Sequence, residues 1–292
     1  MTARAGALVR VTVRRVRGGE DRLVSDRVVG EEPLEIRLEG PQGQSVLGVT
    51  LRTPSRDFEL CAGLLLAEGL IRCADDLLGL RYCGRGEQRY NVVTARLRWG
   101  PPARTARSPL AGSACGVCGV QTISELASRL VSRPTAALAH TTTTIDPAVL
   151  VGLPHRLRQA QPLFARTGGL HAAALFTEAG ECLVVREDIG RHNAVDQAIG
   201  WALLQDCLDR AAVLLVSGRI GMEIAQKAVV AGIPCLASIS APSSLAISMA
   251  QAFGLTVCGF LRGEGFNVYS GPERLRKPDA GVILAGGLPP GS

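Results

Sequence analysis

Val213-Leu214-Leu215-Val216-Ser217, Cys235-Leu236-Ala237-Ser238-Ile239-Ser240 and Thr256-Val257-Cys258-Gly259-Phe260, with the longer segments Ile220–Ala231 and Ser243–Phe253 between them, decide the fold of this chain. The three short runs are apolar at nearly every position, as strands buried on both faces are. The two longer segments have helix length and close on a glycine, Gly232 and Gly254, which suits the left-handed residue that ends many helices. The order is β-α-β-α-β, and right-handed crossovers make the three strands parallel.

Upstream, Leu170–Phe176 and Cys182–Arg186 flank Glu178-Ala179-Gly180-Glu181, a hairpin signature. His192–Cys207 then reads as a helix with Val195, Ala198, Ile199, Ala202 and Leu203 as its apolar stripe. Residues from about 8 to 107 are strand-rich, with candidates Val9–Val16, Leu34–Leu38, Ser45–Arg52 and Arg89–Leu97 and one helix at Arg56–Leu70. A Pro-rich loop from Pro101 leads to Ser113-Ala114-Cys115-Gly116-Val117-Cys118-Gly119 and a helix over Gly119–Val131. Thr141–Thr144 reads as a loop, and Asp146-Pro147 opens a further helix. The expected class is α/β. It divides into a strand-rich N-terminal subdomain (1–110), a cysteine loop with connecting helices (111–164), an α/β ligand-binding domain (165–277) and a loose tail (278–292).

The composition narrows the function. At 292 residues and 47% hydrophobic, the chain can bury one large core or two smaller ones. Its mean hydropathy is +0.20, but no uncharged apolar run reaches the ~18 residues of a membrane helix. The N-terminus, with Arg4, Arg10, Arg14 and Arg15, lacks the apolar stretch of a secretory signal. Nine cysteines are scattered in a chain too large to need disulfide staples. Cys182, Cys207, Cys235 and Cys258 sit in apolar runs and read as buried. A reducing cytoplasm is expected. The net charge of +6 suits an anionic ligand or an acidic partner. With 4% aromatic residues, stacking on nucleic acid is not expected.

In open α/β sheets, ligands bind outside the carboxyl ends of the strands. Those ends are Ser217-Gly218-Arg219, Ser240-Ala241-Pro242-Ser243-Ser244 and Phe260-Leu261-Arg262-Gly263-Glu264-Gly265. Two carry small residues at a helix start, where amides hold phosphate. Two carry an arginine, which pairs phosphate bidentately. Glu264 can accept hydrogen bonds from a guanine edge. The segments Arg166–His171 and Arg186–Asn193 add His171, Asp188 and His192, with Asp188 also able to serve as a cap or turn residue. Neither a Walker A sequence nor a dinucleotide glycine fingerprint is present.

Cys115 and Cys118 sit on a glycine-flanked loop before a helix start, a setting that favours thiolate. A redox pair would want a preceding strand rather than a Pro/Arg-rich loop. A deaminase-type zinc site would want His-x-Glu, and none of His140, His155, His171 or His192 is followed two residues later by Glu. The third reading is a sulfur carrier, in which one thiolate takes up a persulfide and passes it on.

Taken with Glu31–Ile36, Ala67-Glu68-Gly69, Thr167-Gly168-Gly169, Arg186–Val195, Ala231–Pro234, Ser240–Leu245 and Gly259–Tyr269, these motifs resemble the formate dehydrogenase accessory sulfurtransferases, the FdhD family. The resemblance spans residues 25 to 277 and implies a cytidine-deaminase-like three-layer scaffold without the zinc. It implies a persulfide accepted from an IscS-type cysteine desulfurase on Cys115 or Cys118. The sulfur then goes to the bis-molybdopterin guanine dinucleotide molybdenum cofactor, a bound substrate, before that cofactor enters formate dehydrogenase. The family's binding stretch carries over to Phe260–Gly265, and a homodimer is implied. Leu170, Gly221-Met222 and Gly265 depart from the family pattern. A non-catalytic cofactor chaperone and a nucleotide-modifying enzyme are the other readings.

Overall fold

The computed structural model describes residues 6–83, 90–99 and 143–276. The Cys115/Cys118 loop, the helix expected over Gly119–Val131 and the tail from 278 lie outside them. Strands β1 (Leu8–Arg17) and β2 (Glu20–Val29) pair antiparallel as an isolated ribbon. Strands β3 (Glu32–Gly40), β4 (Gly43–Arg52), β5 (Leu77–Tyr82) and β6 (Val92–Leu97) form a four-stranded sheet in the order β4-β3-β6-β5. Helix α1 (Asp57–Ala67) lies between β4 and β5 in sequence. Strands β2 and β5 escape the sequence reading. β2 mixes Arg, Asp and Glu with Leu and Val, and no residue of it is buried. It therefore carries no apolar face for alternation to reveal.

The second half opens with α2 (Pro147–Gln159), where the Asp146 carboxylate accepts the Ala148 amide at 2.8 Å and Pro147 takes the first helical position. There follow α3 (Pro162–Thr167), β7 (His171–Phe176), β8 (Cys182–Asp188), α4 (Arg191–Leu204), β9 (Val213–Val216), α5 (Met222–Val230), β10 (Cys235–Ser238), α6 (Ser244–Phe253), β11 (Thr256–Arg262) and β12 (Gly265–Ser270). The sheet order is β12-β11-β10-β9-β7-β8. β9, β10 and β11 are parallel, as expected. β7 runs antiparallel to β9 and β8, and β12 antiparallel to β11. Gly232 and Gly254 hold φ of 73° and 67°, beyond the reach of most side chains.

The sheet's two faces follow strict parity. Ala173, Leu175, Leu214, Val216, Leu236 and Val257 pack into one cluster with residues of α1, α4, α5 and α6. Ala172, Ala174, Phe176, Val213, Leu215, Cys235, Ala237 and Cys258 pack against Leu150, Leu153 and Leu157 of α2. Three layers result: α2, the sheet, and α4 to α6. Although α2 lies in the stretch read as connecting helices, it covers one face of this sheet. The first cluster also takes in Leu34, Ile36, Leu38, Val93 and Ala95 of the N-terminal sheet, so both sheets share one core.

Helices α1 and α4 touch backbone to backbone. A Cβ on Gly63 would stand 1.9 Å from the Asp196 carbonyl oxygen, and one on Gly200 1.9 Å from that of Glu59. Two expectations need correction here. The strand read as Thr256–Phe260 runs on to Arg262 as β11, so Leu261 and Arg262 are strand rather than loop residues, and only Gly263 and Glu264 separate β11 from β12. Cys235 and Cys258 are buried, but Cys182 is exposed on the edge strand β8 and Cys207 is only half-buried.

Candidate functional site

One edge of the six-stranded sheet collects the carboxyl ends of β8, β9 and β10, the start of β7 and the far end of β11. Its loops are bonded to one another. The Ser238 hydroxyl donates to the Gly218 carbonyl at 2.6 Å and accepts the Ser240 amide at 2.9 Å. Ile220 donates to Ala241, Ser243 to Ile220, and Phe260 to Ser240. The Ala172 amide reaches the Ser217 hydroxyl at 2.9 Å. Ser217, Gly218, Arg219, Ser240, Phe260 and His171 therefore do share one edge.

Three helices begin here. Helices α4 and α5 start after Gly190 and Gly221, with no side-chain cap. Their first-turn amides carry the positive end of the helix dipole. Helix α6 is closed by Ser243, whose hydroxyl accepts the Ala246 amide at 3.2 Å; this side chain is already occupied as a cap. The side chains of Arg219, Arg262 and Glu264 are exposed. Arg262 stacks on the Phe260 ring at 5.4 Å. Phe260 itself has φ of 54°, a strained conformation for an aromatic residue. It is held by the Ser240 hydrogen bond and by a bulge in the β11–β12 register.

Below these arginines, a Cβ on Gly218 would meet the His171 Nδ1 at 3.2 Å and the Arg191 Cδ at 3.8 Å. Burial and then the Arg191 charge push the His171 imidazole below its ordinary value. Neutral imidazole offers one donor and one acceptor. The Arg191 Nε is buried and has no hydrogen-bond partner among the described residues. His192 Nε2 stands 3.1 Å from Glu223 Oε2, joining the first turns of α4 and α5.

Two expected ligand contacts face inward instead. Asp188 is fully buried and accepts from the Thr53 amide (3.0 Å), the Gly190 amide (2.8 Å), Asn193 Nδ2 (3.0 Å) and Gln197 Nε2 (2.8 Å). It pins the N-terminal sheet to the start of α4. Burial drives its carboxyl up to about 6 despite those donors. Leu261 is fully buried in the α2-side cluster. The sequence reading missed Ser238, Arg191 and Glu223. Arg191 lay inside the polar segment 186–193, but Ser238 looked like an ordinary strand residue. Among the described residues, no group of three or more His, Cys, Asp or Glu could hold a metal. No described helix is long and apolar enough to cross a membrane.

Fold and edge define a class: a mixed α/β protein with uncapped helix starts and exposed arginines gathered on one sheet edge. The chain belongs to the FdhD/NarQ family, whose model matches residues 29–276. It is 49% identical to the sulfur carrier protein FdhD of Nocardia farcinica, covering 98% of this chain and 100% of that one. The protein of the same name from Streptomyces avermitilis is 47% identical over 91% of this chain and 96% of the relative. A crystal structure from Desulfotalea psychrophila, provisionally described as a formate dehydrogenase accessory protein, aligns with a TM-score of 0.68. That alignment covers 92% of this chain and 100% of the other at 23% identity, a likeness of fold.

Proposed function

We propose that this chain is a sulfur carrier serving formate dehydrogenase maturation. It takes sulfur from an IscS-type cysteine desulfurase and passes it to the bis-molybdopterin guanine dinucleotide molybdenum cofactor docked at the sheet edge. The observation that carries the docking half is the pair of uncapped helix starts, α4 and α5, beside Arg219 and Arg262. Backbone amides and guanidiniums together are the usual partners of phosphate. The cofactor's guanine nucleotide ends supply phosphates to these groups, and Glu264 can accept from guanine. The names of the relatives support the sulfur half. The deaminase-like scaffold stays part of the reading, supported by a hairpin followed by a parallel run in the order β8-β7-β9-β10-β11.

The chemistry asked of Cys115 and Cys118 balances. A thiolate attacks the outer sulfur of the donor's persulfide, that S–S bond breaks, and the donor cysteine leaves as thiolate. The attacking cysteine now holds the persulfide, and nothing is oxidised overall. The second thiolate can then attack the inner sulfur. Hydrosulfide leaves, the two cysteines close a disulfide, and the pair gives up the two electrons the sulfur gains. The three-residue spacing allows this hand-over within one loop. A cytoplasmic homodimer fits the reading.

The deciding experiment uses the Cys115→Ala/Cys118→Ala variant of the full chain. Mixed with desulfurase and cysteine, wild type should gain the mass of one sulfur atom on this loop and the variant should not. Cells carrying only the variant should lack formate oxidation. Near-normal oxidation there would favour the cofactor chaperone.

A further inference from the structure

We propose that the cleft between the β1–β2 ribbon and α3 is a docking seat for an extended acidic segment of a partner protein. The cleft has a volume of about 500 Å³ and is lined by Arg10, Ser25, Asp26, Arg27 and Arg166. None of its lining residues belongs to the sheet edge described above. The ribbon lies almost wholly before residue 29, where the match to the family model begins.

The cleft sets three guanidiniums against one carboxylate, Asp26. Arg10 and Arg27 are direct cross-strand partners. Like charges in that position repel and cost stability unless something neutralises them. Arg166 adds a third guanidinium from α3. All three are exposed, and among the described residues no carboxylate pairs with them. Further along the same ribbon, Arg14 is bonded to Asp21 and Arg15, which faces Arg22 across the strands, stands 3.5 Å from Asp26. Asp26 lines the cleft, but its carboxylate also accepts the Arg27 amide at 2.7 Å. Arg17 and Arg22 also lack a carboxylate partner among the described residues, but it is in the cleft that three such arginines from two elements line one cavity.

The surroundings select the occupant. A phosphate site wants backbone amides, and the amides at the start of α3 are taken: Leu163 and Phe164 both donate to Glu187, at 3.0 and 2.7 Å. On the α3 side, side chains remain. Among the described residues the ribbon has two strands and thus open edges, which an extended chain can extend through backbone hydrogen bonds. Beside the arginine pair lies the exposed cross-strand pair Val9 and Val28. Carboxylates for the guanidiniums, apolar residues for the valines and a free strand edge together describe an acidic, alternating segment.

The seat also has a useful position. At the foot of the ribbon, Val29 lies against Gly169, where a Cβ would be 3.7 Å from Val29 Cγ2. Gly169 is two residues from His171, and Arg166 is five. A partner held on the ribbon is held beside the sheet edge. Its use in sulfur delivery rests on the proposed function; the seat itself does not.

The test is fluorescence anisotropy on the full chain. One fluorescein-labelled peptide alternates Glu and Val over about ten residues, the length of a ribbon strand; a control has Gln in place of Glu. Wild type should bind the Glu peptide, lose affinity as salt rises, and bind the Gln peptide at least about tenfold more weakly. The Arg10→Gln/Arg27→Gln variant should lose about tenfold, and Arg166→Gln several-fold, while Arg14→Gln stays within about twofold. The Arg10→Glu/Arg27→Glu variant should instead prefer a Lys–Val peptide. Equal binding of the Glu and Gln peptides, or undiminished binding by Arg10→Gln/Arg27→Gln, would overturn the proposal. So would pyrophosphate binding that depends on these arginines with no peptide binding. None of these readouts involves sulfur, so failure of the sulfur-carrier reading would leave them unchanged.

Discussion

Helix α4 serves two regions built on opposite principles. At its middle, Gly200 lets its backbone meet that of α1, and Asp188 just ahead of it is surrounded by four donors. At its first turn, the same helix presents uncapped amides and Arg191 to the sheet edge. In the joint, side chains are either absent, as at Gly63 and Gly200, or engaged around the Asp188 carboxylate. At the edge, the backbone is bonded from loop to loop, while Arg219, Arg262 and Glu264 reach into solvent. Stability resides in the first region. Chemistry, on the proposed reading, resides in the second.

Substitutions can separate the two. The largest effect is expected from Gly200→Ala. The new methyl would meet backbone on α1, which has no side chain to move aside. Overpacking of this kind should cost about 3 kcal/mol or more, seen as a lowered denaturation midpoint. A midpoint equal to wild type would show that the helices can part.

Asp188→Asn should change how stability follows pH. Its carboxyl sits near 6 in the folded chain, against an ordinary 3.8. A raised acid binds protons more readily when folded, so ionisation above about 6 opposes folding. That penalty, up to about 3 kcal/mol, fades as pH falls toward 4. The variant cannot ionise there. Denaturation midpoints of wild type relative to variant should therefore rise on acidification between pH 7 and 4. A constant difference would mean the carboxyl titrates normally.

Arg262→Ala tests the other region. It should leave the midpoint within about 0.5 kcal/mol of wild type, as exposed substitutions do. If the edge docks a nucleotide, affinity for GDP should fall by about 1.5–3 kcal/mol, the range for a charged hydrogen bond. Calorimetry showing unchanged affinity would move the dock elsewhere. The smallest effect is expected from Ser238→Ala, which removes the link between Gly218 and Ser240. It should cost about 1 kcal/mol and increase amide exchange in residues 217–220 and 239–243. Unaltered exchange would show that the remaining bonds suffice.

What the sequence disclosed follows from how local each cause is. Strands β9 to β11, the Gly232 and Gly254 helix ends and the Asp146-Pro147 start depend on neighbours within a few positions, and all were readable. The gathering of His171, Gly218 and Ser240 on one edge followed from strand direction alone. Asp188 could not be read this way. One of its donors, Thr53, lies 135 positions earlier, and a polar segment in sequence does not say which way it faces. Leu261-Arg262 misled for the opposite reason. The strand was read as ending at Phe260, but pairing with β12 carries it through Arg262. Ser238 was missed because its role is fixed by the Gly218 carbonyl, twenty residues earlier.

The contact between α1 and α4 also has a mechanical consequence. With Gly63 facing the Asp196 carbonyl and Gly200 facing that of Glu59, the helices are held at two points along their length. A bearing gripped at two points resists twisting as well as sliding. The N-terminal sheet and the six-stranded sheet should therefore tumble as one body, with a single rotational correlation time. Whatever travels between a sulfur donor and this edge must bring its own slack.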